Sequence, residues 1–247
     1  MAKKEESSIR TSLRTITTNS RSKILKELES ELKKSKKRFI ITANPETIML
    51  AEKDSQIKDM LDNEDILKVP DGIAVVKACK KIKMSVKERI TGCDLSVDLL
   101  EFANKHKKSL YLFGSKPEVI EKMAEVVKEK YPKIKLLKAQ DGYVKDRDKV
   151  RKDIIKQKPD LCLVALGIPH QEKFINSIMD SVDKGIYMGV GGTFDVLSGS
   201  KKRAPKLFIK LNLEWLYRIA CEPNRIKRFF DSNVKFIFKA LKKENRK

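Results

Sequence analysis

The residues with the clearest chemical potential lie in a glycine-rich stretch that follows a short apolar run. Gly191, Gly192 and Thr193 come directly after this run, and Asp195 follows two positions later. Glycine lets the backbone take a positive φ or approach a ligand closely, and the basic segment 201–203 brings positive charge to the turn. This combination favours a phosphate or phosphosugar site. The alternative is a strand and turn packed closely against a neighbouring element.

The elements around this stretch alternate between short apolar runs of strand type and helical segments of about ten residues or more. The alternation predicts an α/β fold with a largely parallel sheet flanked by helices. Within the N-terminal segment, the apolar residues Ile9, Leu13 and Ile16 suggest a further short strand. Ligands of open α/β sheets bind beyond the carboxyl ends of the strands, so the loops there predict a wide cleft. Gly and Pro mark six such loops, at 44–45, 70–72, 114, 141–142, 167–169 and 191–192.

Positive charge is concentrated at the two ends of the chain, whose net charge is +21. Residues 1–38 hold 12 Lys and Arg against 5 Glu, and residues 201–247 hold 15 against 4 acidic residues. Basic ends of this kind meet nucleic acid or an anionic membrane surface. We therefore predict a basic N-terminal segment with a helix (1–38), an α/β core (39–204), and a basic, amphipathic helical appendage that associates with membranes (205–247).

Cysteine and histidine usage argues against a zinc site and a disulfide framework. The four cysteines lie far apart and form no CxxC pair, and the chain has two histidines. The sequence shows no signal peptide and no uncharged run near the roughly 18 apolar residues of a membrane-spanning helix. We therefore expect a cytoplasmic protein.

Several short motifs occur in a characteristic order, and together they resemble the WecG/TagA/CpsF glycosyltransferase family. The resemblance extends from about Thr42 to Arg228 and implies a Rossmann-like fold. The motifs are TANPE (42–46), VPDG (69–72), ERITGCDL (88–95), YLFG (111–114), DGY (141–143), ALGIPHQE (165–172), GVGGTFDVLSG (189–199), RAP (203–205), LEWLYR (213–218) and EPNRIKR (222–228).

The activity that the resemblance implies is an inverting transfer of an N-acetylhexosamine from a UDP-sugar to a polyprenyl-diphosphate-linked sugar. The best-known members transfer N-acetylmannosamine in the synthesis of wall teichoic acid or surface polysaccharide. The family works without a bound metal, and we expect no cofactor. The pair Asp146 and Asp148 has the spacing of a sugar-nucleotide motif but opens a charged helix. The implied location is the inner face of the cell membrane, and the resemblance leaves room for a homo-oligomer.

An inverting transfer needs a general base and stabilisation of charge on the leaving diphosphate. We assign Asp71 as the base, because it follows a predicted strand and Gly72 leaves room for a substrate. The alternative for Asp71 is an N-cap of the next helix. Thr42, also assigned to the catalytic site, and Asn44 would hold sugar or acceptor hydroxyls, with turn chemistry as the alternative.

The remaining candidate residues are assigned to substrate binding. Arg89 would bind a diphosphate, and its alternative is a surface ion pair with Glu88 or Asp94. Gln171 can hydrogen-bond a sugar or uracil. The resemblance further places three arginines of the appendage at the donor or lipid diphosphate. The candidates that complete the set are Gly142 and Tyr143 at the nucleoside, the glycine-turn residues named above, and Arg218, Arg225 and Arg228.

Two other functions are compatible with parts of the sequence. A nucleic-acid-binding protein would use the basic ends to neutralise phosphates, but the chain contains no RNA- or DNA-binding motif. An oxidoreductase with a nucleotide cofactor is disfavoured because the glycine stretch is not a GxGxxG fingerprint. We therefore expect a UDP-sugar, a lipid-linked acceptor and a membrane surface as partners, and no nucleic acid.

Overall fold

A six-stranded sheet forms the centre of the structure, a computed structural model that describes residues 8–241, except for the side chains of Arg225, Arg228 and Leu241. The strands are β1 (Lys37–Ala43), β2 (Leu67–Pro70), β3 (Ser109–Gly114), β4 (Lys135–Gln140), β5 (Leu161–Ala165) and β6 (Gly185–Gly189). Their order across the sheet is β2-β1-β6-β5-β3-β4, and all neighbouring pairs are parallel. The predicted α/β fold with a parallel sheet is confirmed.

Helices cover both faces of the sheet, which explains why the strands read as continuous apolar runs. Alternate residues of β1 enter two different hydrophobic clusters: Phe39 and Ile41 lie in one, and Ile40 lies in the other. All five residues of β5 and of β6 are buried. The carboxyl ends of the parallel strands therefore meet at one edge of a sheet whose central strands are buried.

Several helices begin at capping residues that the sequence already contains. Asn44 Oδ1 accepts a hydrogen bond from Thr47 N (3.0 Å), and Thr91 Oγ1 accepts one from Asp94 N (3.0 Å). Asp146 caps its helix in the same way. The helices are α1 (Ser8–Arg14), α2 (Arg21–Lys33), α3 (Pro45–Leu50), α4 (Ser55–Asp62), α5 (Ile73–Lys81), α6 (Gly92–Lys105), α7 (Pro117–Lys130), α8 (Arg147–Gln157), α9 (His170–Met179), α10 (Thr193–Leu197), α11 (Lys206–Lys210), α12 (Glu214–Cys221), α13 (Arg225–Phe229) and α14 (Lys235–Leu241), with a π-helical turn at Phe230–Val234.

The N-terminal segment is helical where the sequence suggested a strand, so that prediction was wrong. Ile9 and Leu13 are buried on one face of α1, and both belong to the cluster that lies under β1. Their spacing of four residues is that of a helix, and Ile16 continues it. Ile16 itself forms an isolated bridge with Lys68, and Thr17 N donates to the Lys68 carbonyl at 2.9 Å.

The C-terminal helices are attached to the core through α14. Phe236 and Ala240 are fully buried in the same cluster as Ile9 and Leu13. In contrast, other large apolar side chains of the C-terminal segment are exposed to solvent, Phe238 by 74%. Among the residues that the structure describes, no helix has the length and apolar character needed to cross a bilayer. The exposed set is Leu207, Leu211, Trp215, Leu216, Ile226, Phe230, Ile237 and Phe238.

Candidate active site

A pocket of about 760 Å³ opens beyond the carboxyl ends of β1, β2 and β6. The strand-end loops form one side of it, and α12, α14 and the helical segments between them form the other. The pocket brings together seven of the residues assigned from the sequence: Thr42, Asn44, Asp71, Arg89, Gly192, Thr193 and Arg218.

Asp71 lies directly after β2 and is held there by backbone contacts. Its amide N–H donates to the carbonyl oxygen of Ala43 (3.0 Å), and Gly92 N–H approaches its Oδ2 at 3.5 Å. Removal from water raises the pKa of the Asp71 carboxyl to about 6, although Arg89 and Arg218 act in the opposite direction. The N-cap of α5 is Gly72 without a side-chain hydrogen bond, so the capping alternative for Asp71 is wrong.

Thr42 and Asn44 stand beside Asp71 at the end of β1. Thr42 is buried and pairs in register with Val69 of β2. Asn44 lines the pocket and also caps α3, since its Oδ1 accepts hydrogen bonds from Thr47 N and Thr47 Oγ1. The turn chemistry considered for Asn44 is therefore present, and it uses the amide oxygen.

Arg89 and Arg218 converge on Glu214 at the pocket wall. Arg89 Nη2 lies 3.3 Å from Glu214 Oε2, and Arg218 Nη2 lies 2.7 Å from Glu214 Oε1. The ion-pair partner of Arg89 is therefore Glu214 of α12 rather than Glu88 or Asp94. Sequence reasoning missed Glu214, although the LEWLYR motif contains it. The ion pair between Arg89 and Glu214 joins the α5–α6 loop to the C-terminal helices.

Gln171 supports the glycine turn through hydrogen bonds to backbone amides. Its Oε1 accepts hydrogen bonds from the amides of Gly191 (2.9 Å) and Gly167 (3.2 Å), so one side chain ties together the loops after β5 and β6. Gly191 has a φ of +50°, and a Cβ on Gly189 would lie 2.6 Å from Gln171 Nε2. The side chain is 1% exposed. Gln171 thus supports the turn from within the protein.

Comparison with known proteins identifies the chain. The family model described as "Glycosyl transferase WecG/TagA/CpsF family" matches residues 11–247. The chain belongs to this family. It is therefore a glycosyltransferase, as the order of its motifs suggested.

Curated relatives agree closely with one another. The chain is 43% identical to the N-acetylglucosaminyldiphosphoundecaprenol N-acetyl-beta-D-mannosaminyltransferase of Bacillus subtilis over 84% of this chain and 80% of the relative. Proteins of the same name from Bacillus spizizenii and Staphylococcus aureus are 39% and 35% identical, over 86% and 83% of this chain and 82% and 80% of theirs. Their names describe transfer of N-acetylmannosamine to a lipid-linked N-acetylglucosamine.

The glycine turn of this WecG/TagA/CpsF member uses its polar groups internally. The Thr193 hydroxyl donates to the Val190 carbonyl at 2.7 Å, and Lys201 lies 3.7 Å from the Asp195 carboxylate. Gly192 and Thr193 line the pocket, whereas Gly191 and Asp195 are outside its lining. The positive charge expected at the turn is therefore partly neutralised by Asp195.

A second residue missed from the sequence supports Gln171. Glu172 is buried, and its Oε1 accepts a hydrogen bond from Gln171 Nε2 at 2.8 Å. Burial raises the pKa of the Glu172 carboxyl to about 7. Its other oxygen, Oε2, has no hydrogen-bond partner among the described residues. The sequence contained one local sign of this role: a Gln-Glu pair at the start of an amphipathic helix.

Gly142 and Tyr143 lie away from the pocket, after the edge strand β4. Gly142 N donates to the Ser115 carbonyl (2.9 Å), and the Gly142 Cα faces the Gly114 backbone. Tyr143 is 70% exposed. The structure thus separates these two residues from Asp71 by the width of several strands. The side chains of Arg225 and Arg228 lie outside the described residues.

Proposed function

We propose that this chain transfers an N-acetylhexosamine, N-acetylmannosamine as in its relatives, from a UDP-sugar to a polyprenyl-diphosphate-linked N-acetylglucosamine, with inversion and without a metal ion. The product would enter wall teichoic acid or surface polysaccharide synthesis. The observation that carries the proposal is that one pocket holds the Asp71 carboxylate together with the guanidinium groups of Arg89 and Arg218. These are the base and the anion-binding cations that such a reaction needs.

Asp71 acts as the general base in this mechanism. Its carboxylate takes the proton of the acceptor hydroxyl while that oxygen bonds to the anomeric carbon of the donor. The bond from the anomeric carbon to the UDP phosphate oxygen breaks on the opposite face, and the electron pair leaves with UDP. One displacement of this kind inverts the anomeric centre. A pKa of about 6 leaves Asp71 ionised at neutral pH but more basic than an ordinary aspartate.

Thr42 and Asn44 would position the reacting hydroxyl groups. The Thr42 side chain stands at the end of β1, one strand from Asp71. Because the helix cap of Asn44 uses Oδ1, we assign its Nδ2 amide to a substrate hydroxyl. Both side chains belong to a strand end and its capped helix, so their geometry is set before a substrate binds.

Arg89 and Arg218 would stabilise the negative charge that develops on the leaving diphosphate. Guanidinium groups pair with phosphate oxygens through two parallel hydrogen bonds. We propose that these two groups supply the positive charge that a divalent metal supplies in other glycosyltransferases. Arg225 and Arg228 stay assigned to the same role by the family resemblance.

The donor nucleoside would lie toward the other side of the sheet. The strands β5 and β3 are neighbours in the sheet. The connection from β3 runs toward one edge of the sheet, to β4, and the connection from β5 runs toward the other edge, to β6. The gap between these two connections is a topological switch point, where α/β sheets bind ligands. Gly142 packs against the loop after β3, and Tyr143 follows it. We retain Gly142 and Tyr143 as contacts of the donor nucleoside. Asp195 and the glycine turn would then lie between the bound nucleoside and the pocket.

The apolar part of the pocket suits the lipid of the acceptor. Small side chains of α5, Ala74 and Ala78, face the pocket together with aromatic and aliphatic side chains of the C-terminal helices. Trp215 and Phe229 stack there with ring centroids 4.6 Å apart. The polyprenyl chain of the acceptor would extend along this side of the pocket.

The exposed apolar side chains on the C-terminal helices would carry the enzyme to the inner face of the cell membrane. Residues 201–247 hold 15 of the chain's Lys and Arg, and basic residues near anionic lipid contribute about 1 kcal/mol each. The apolar side chains supply the area that enters the lipid interface. This arrangement would hold the pocket near an acceptor embedded in the bilayer.

A substrate panel tests the proposed function. The enzyme is incubated with UDP-N-acetylmannosamine, UDP-N-acetylglucosamine or UDP-N-acetylgalactosamine and a short-chain N-acetylglucosaminyl diphospholipid, with and without EDTA. We expect a β-linked disaccharide from UDP-N-acetylmannosamine by mass spectrometry and NMR, in equal amount with EDTA. An α-linkage, or activity lost to EDTA and restored by Mg²⁺, would contradict the inverting, metal-free mechanism.

A further inference from the structure

We propose that Glu214 is an internal substitute for the substrate diphosphate: its carboxylate pairs with Arg89 and Arg218 until a diphosphate replaces it. This inference rests on the proposed function, in which both arginines bind a diphosphate. It adds a role for an acidic residue in a site otherwise assigned to anion binding.

The geometry of Glu214 is that of a bound anion. Each carboxylate oxygen contacts a different arginine, Oε2 that of Arg89 at 3.3 Å and Oε1 that of Arg218 at 2.7 Å. The Glu214 side chain is 6% exposed and that of Arg89 is 14% exposed. The two guanidinium groups come from separate parts of the chain and meet at this one carboxylate. All three residues line the pocket that contains Asp71.

The largely buried guanidinium of Arg89 needs an anionic partner, because an unpaired buried charge costs several kcal/mol, whereas the Arg218 side chain is 47% exposed. A carboxylate and a phosphate fit the guanidinium fork in the same way, so either can serve. Glu214 therefore keeps both arginines oriented toward the pocket before a diphosphate arrives. Preorganisation of this kind lowers the cost of ordering the site on binding.

Glu214 and a diphosphate should not share the two arginines. A diphosphate brings at least two negative charges to a site where Asp71 and Glu214 already balance Arg89 and Arg218. Like charges held a few ångströms apart in a partly desolvated pocket repel each other strongly. The Glu214 side chain, on the first residue of α12, would rotate away when the diphosphate binds and return when it leaves. Competition from Glu214 thus weakens the binding of the diphosphate that replaces it.

The direct test is the affinity of Glu214→Gln for two diphosphates, UDP and geranyl diphosphate, measured by calorimetry at fixed salt. Removing the competing charge should lower the Kd by about tenfold, within the usual range for coupled binding. A gain for UDP identifies the donor diphosphate as the incoming group, and a gain for geranyl diphosphate identifies the acceptor. Binding of both ligands no tighter than in the wild type would overturn the inference.

Three further variants separate competition from other effects. Glu222→Gln makes the same charge change at the far end of α12, where Glu222 pairs with Lys201 (3.0 Å), and should leave both affinities unchanged. The gain from Glu214→Gln should be smaller when it is measured in an Arg218→Gln protein and compared with Arg218→Gln alone, because only the Arg89 guanidinium is then freed. Glu214→Asp, whose carboxylate is drawn back by one methylene group, should show a smaller gain. A gain of full size without Arg218 would also contradict the exchange.

These measurements need no turnover, so they are independent of the proposed reaction. A chain that transfers no sugar in the substrate panel but gains UDP affinity in Glu214→Gln would refute the proposed function alone. Active transfer without a gain in Glu214→Gln would refute the exchange alone.

Discussion

Replacing Asp71 with asparagine should make the protein more stable at neutral pH. Desolvation holds the pKa of the Asp71 carboxyl at about 6 in the folded protein, against an ordinary value of 3.8. The folded state therefore retains this proton more tightly than the unfolded state does. The ionised carboxylate, which catalysis requires, is thus destabilising in the fold. Asparagine has nearly the same shape and no charge.

The size of the effect follows from the shift in pKa. A difference of roughly two pKa units corresponds to at most about 3 kcal/mol at 1.36 kcal/mol per unit. We expect about 1–3 kcal/mol, since asparagine also changes the local hydrogen bonds. For a chain of this length, each kcal/mol moves the Tm by about 2–4 °C. The wild type loses this amount of unfolding free energy as the pH rises from about 4 through 6 and Asp71 ionises. The stability advantage of Asp71→Asn over the wild type should therefore be largest above about pH 7.

Thermal unfolding of the two proteins at pH 4.5 and pH 7.5 measures the effect. Asp71→Asn should melt several degrees higher than the wild type at pH 7.5 and within about a degree at pH 4.5. Asp195→Asn is a suitable control, because Asp195 lies outside the pocket and faces Lys201. An Asp71→Asn protein that is less stable at pH 7.5, or a difference that does not vary with pH, would refute the burial argument.

Three further predictions concern the contacts of Gln171 with Glu172 and the glycine turn, and the exposed apolar side chains of the C-terminal helices. Glu172→Gln should keep activity and gain stability at pH 8, because burial raises the pKa of Glu172 to about 7, whereas Glu172→Ala should lose about 1–3 kcal/mol in denaturant unfolding. Gly189→Ala should lose about 1–3 kcal/mol of unfolding free energy and much of its activity, since the new Cβ would overlap Gln171. Normal turnover in this variant would contradict the role of Gln171 in supporting the turn. Phe238→Ser should weaken liposome flotation about tenfold at unchanged Tm, and equal flotation, or tighter binding to an oligonucleotide than to liposomes, would contradict the membrane face.

The sheet could be predicted because its strands carry their own signal. Buried strands such as β5 and β6 are short apolar runs that end in Gly or Pro. The strand boundaries are less exact, since the apolar run at 186–190 becomes strand β6 at Gly185–Gly189. The error at Ile9 and Leu13 arose because the spacing of the three apolar residues, four and then three positions, is that of a helix and was not taken into account.

The site was predicted in part, and the missing parts depend on long-range contacts. Asp71 follows β2 and Thr42 lies at the end of β1, so topology alone places them at one edge. Glu214 meets Arg89 across 125 positions, and nothing local in the sequence indicates that contact. Gln171 shows the same limit, because its side chain turns inward to two loop amides rather than out to a ligand. The direction of such a side chain in the first turn of a helix is decided by packing that a sequence pattern does not contain.

The rate of a single turnover in Asp71→Asn tests the central claim most directly. With enzyme in excess over labelled UDP-sugar and saturating lipid-linked acceptor, we expect transfer to slow by about 10²–10⁴-fold while UDP affinity changes less than about threefold. The wild-type rate should also fall below about pH 6, as Asp71 becomes protonated. A single-turnover rate in Asp71→Asn close to that of the wild type would show that Asp71 is not the base.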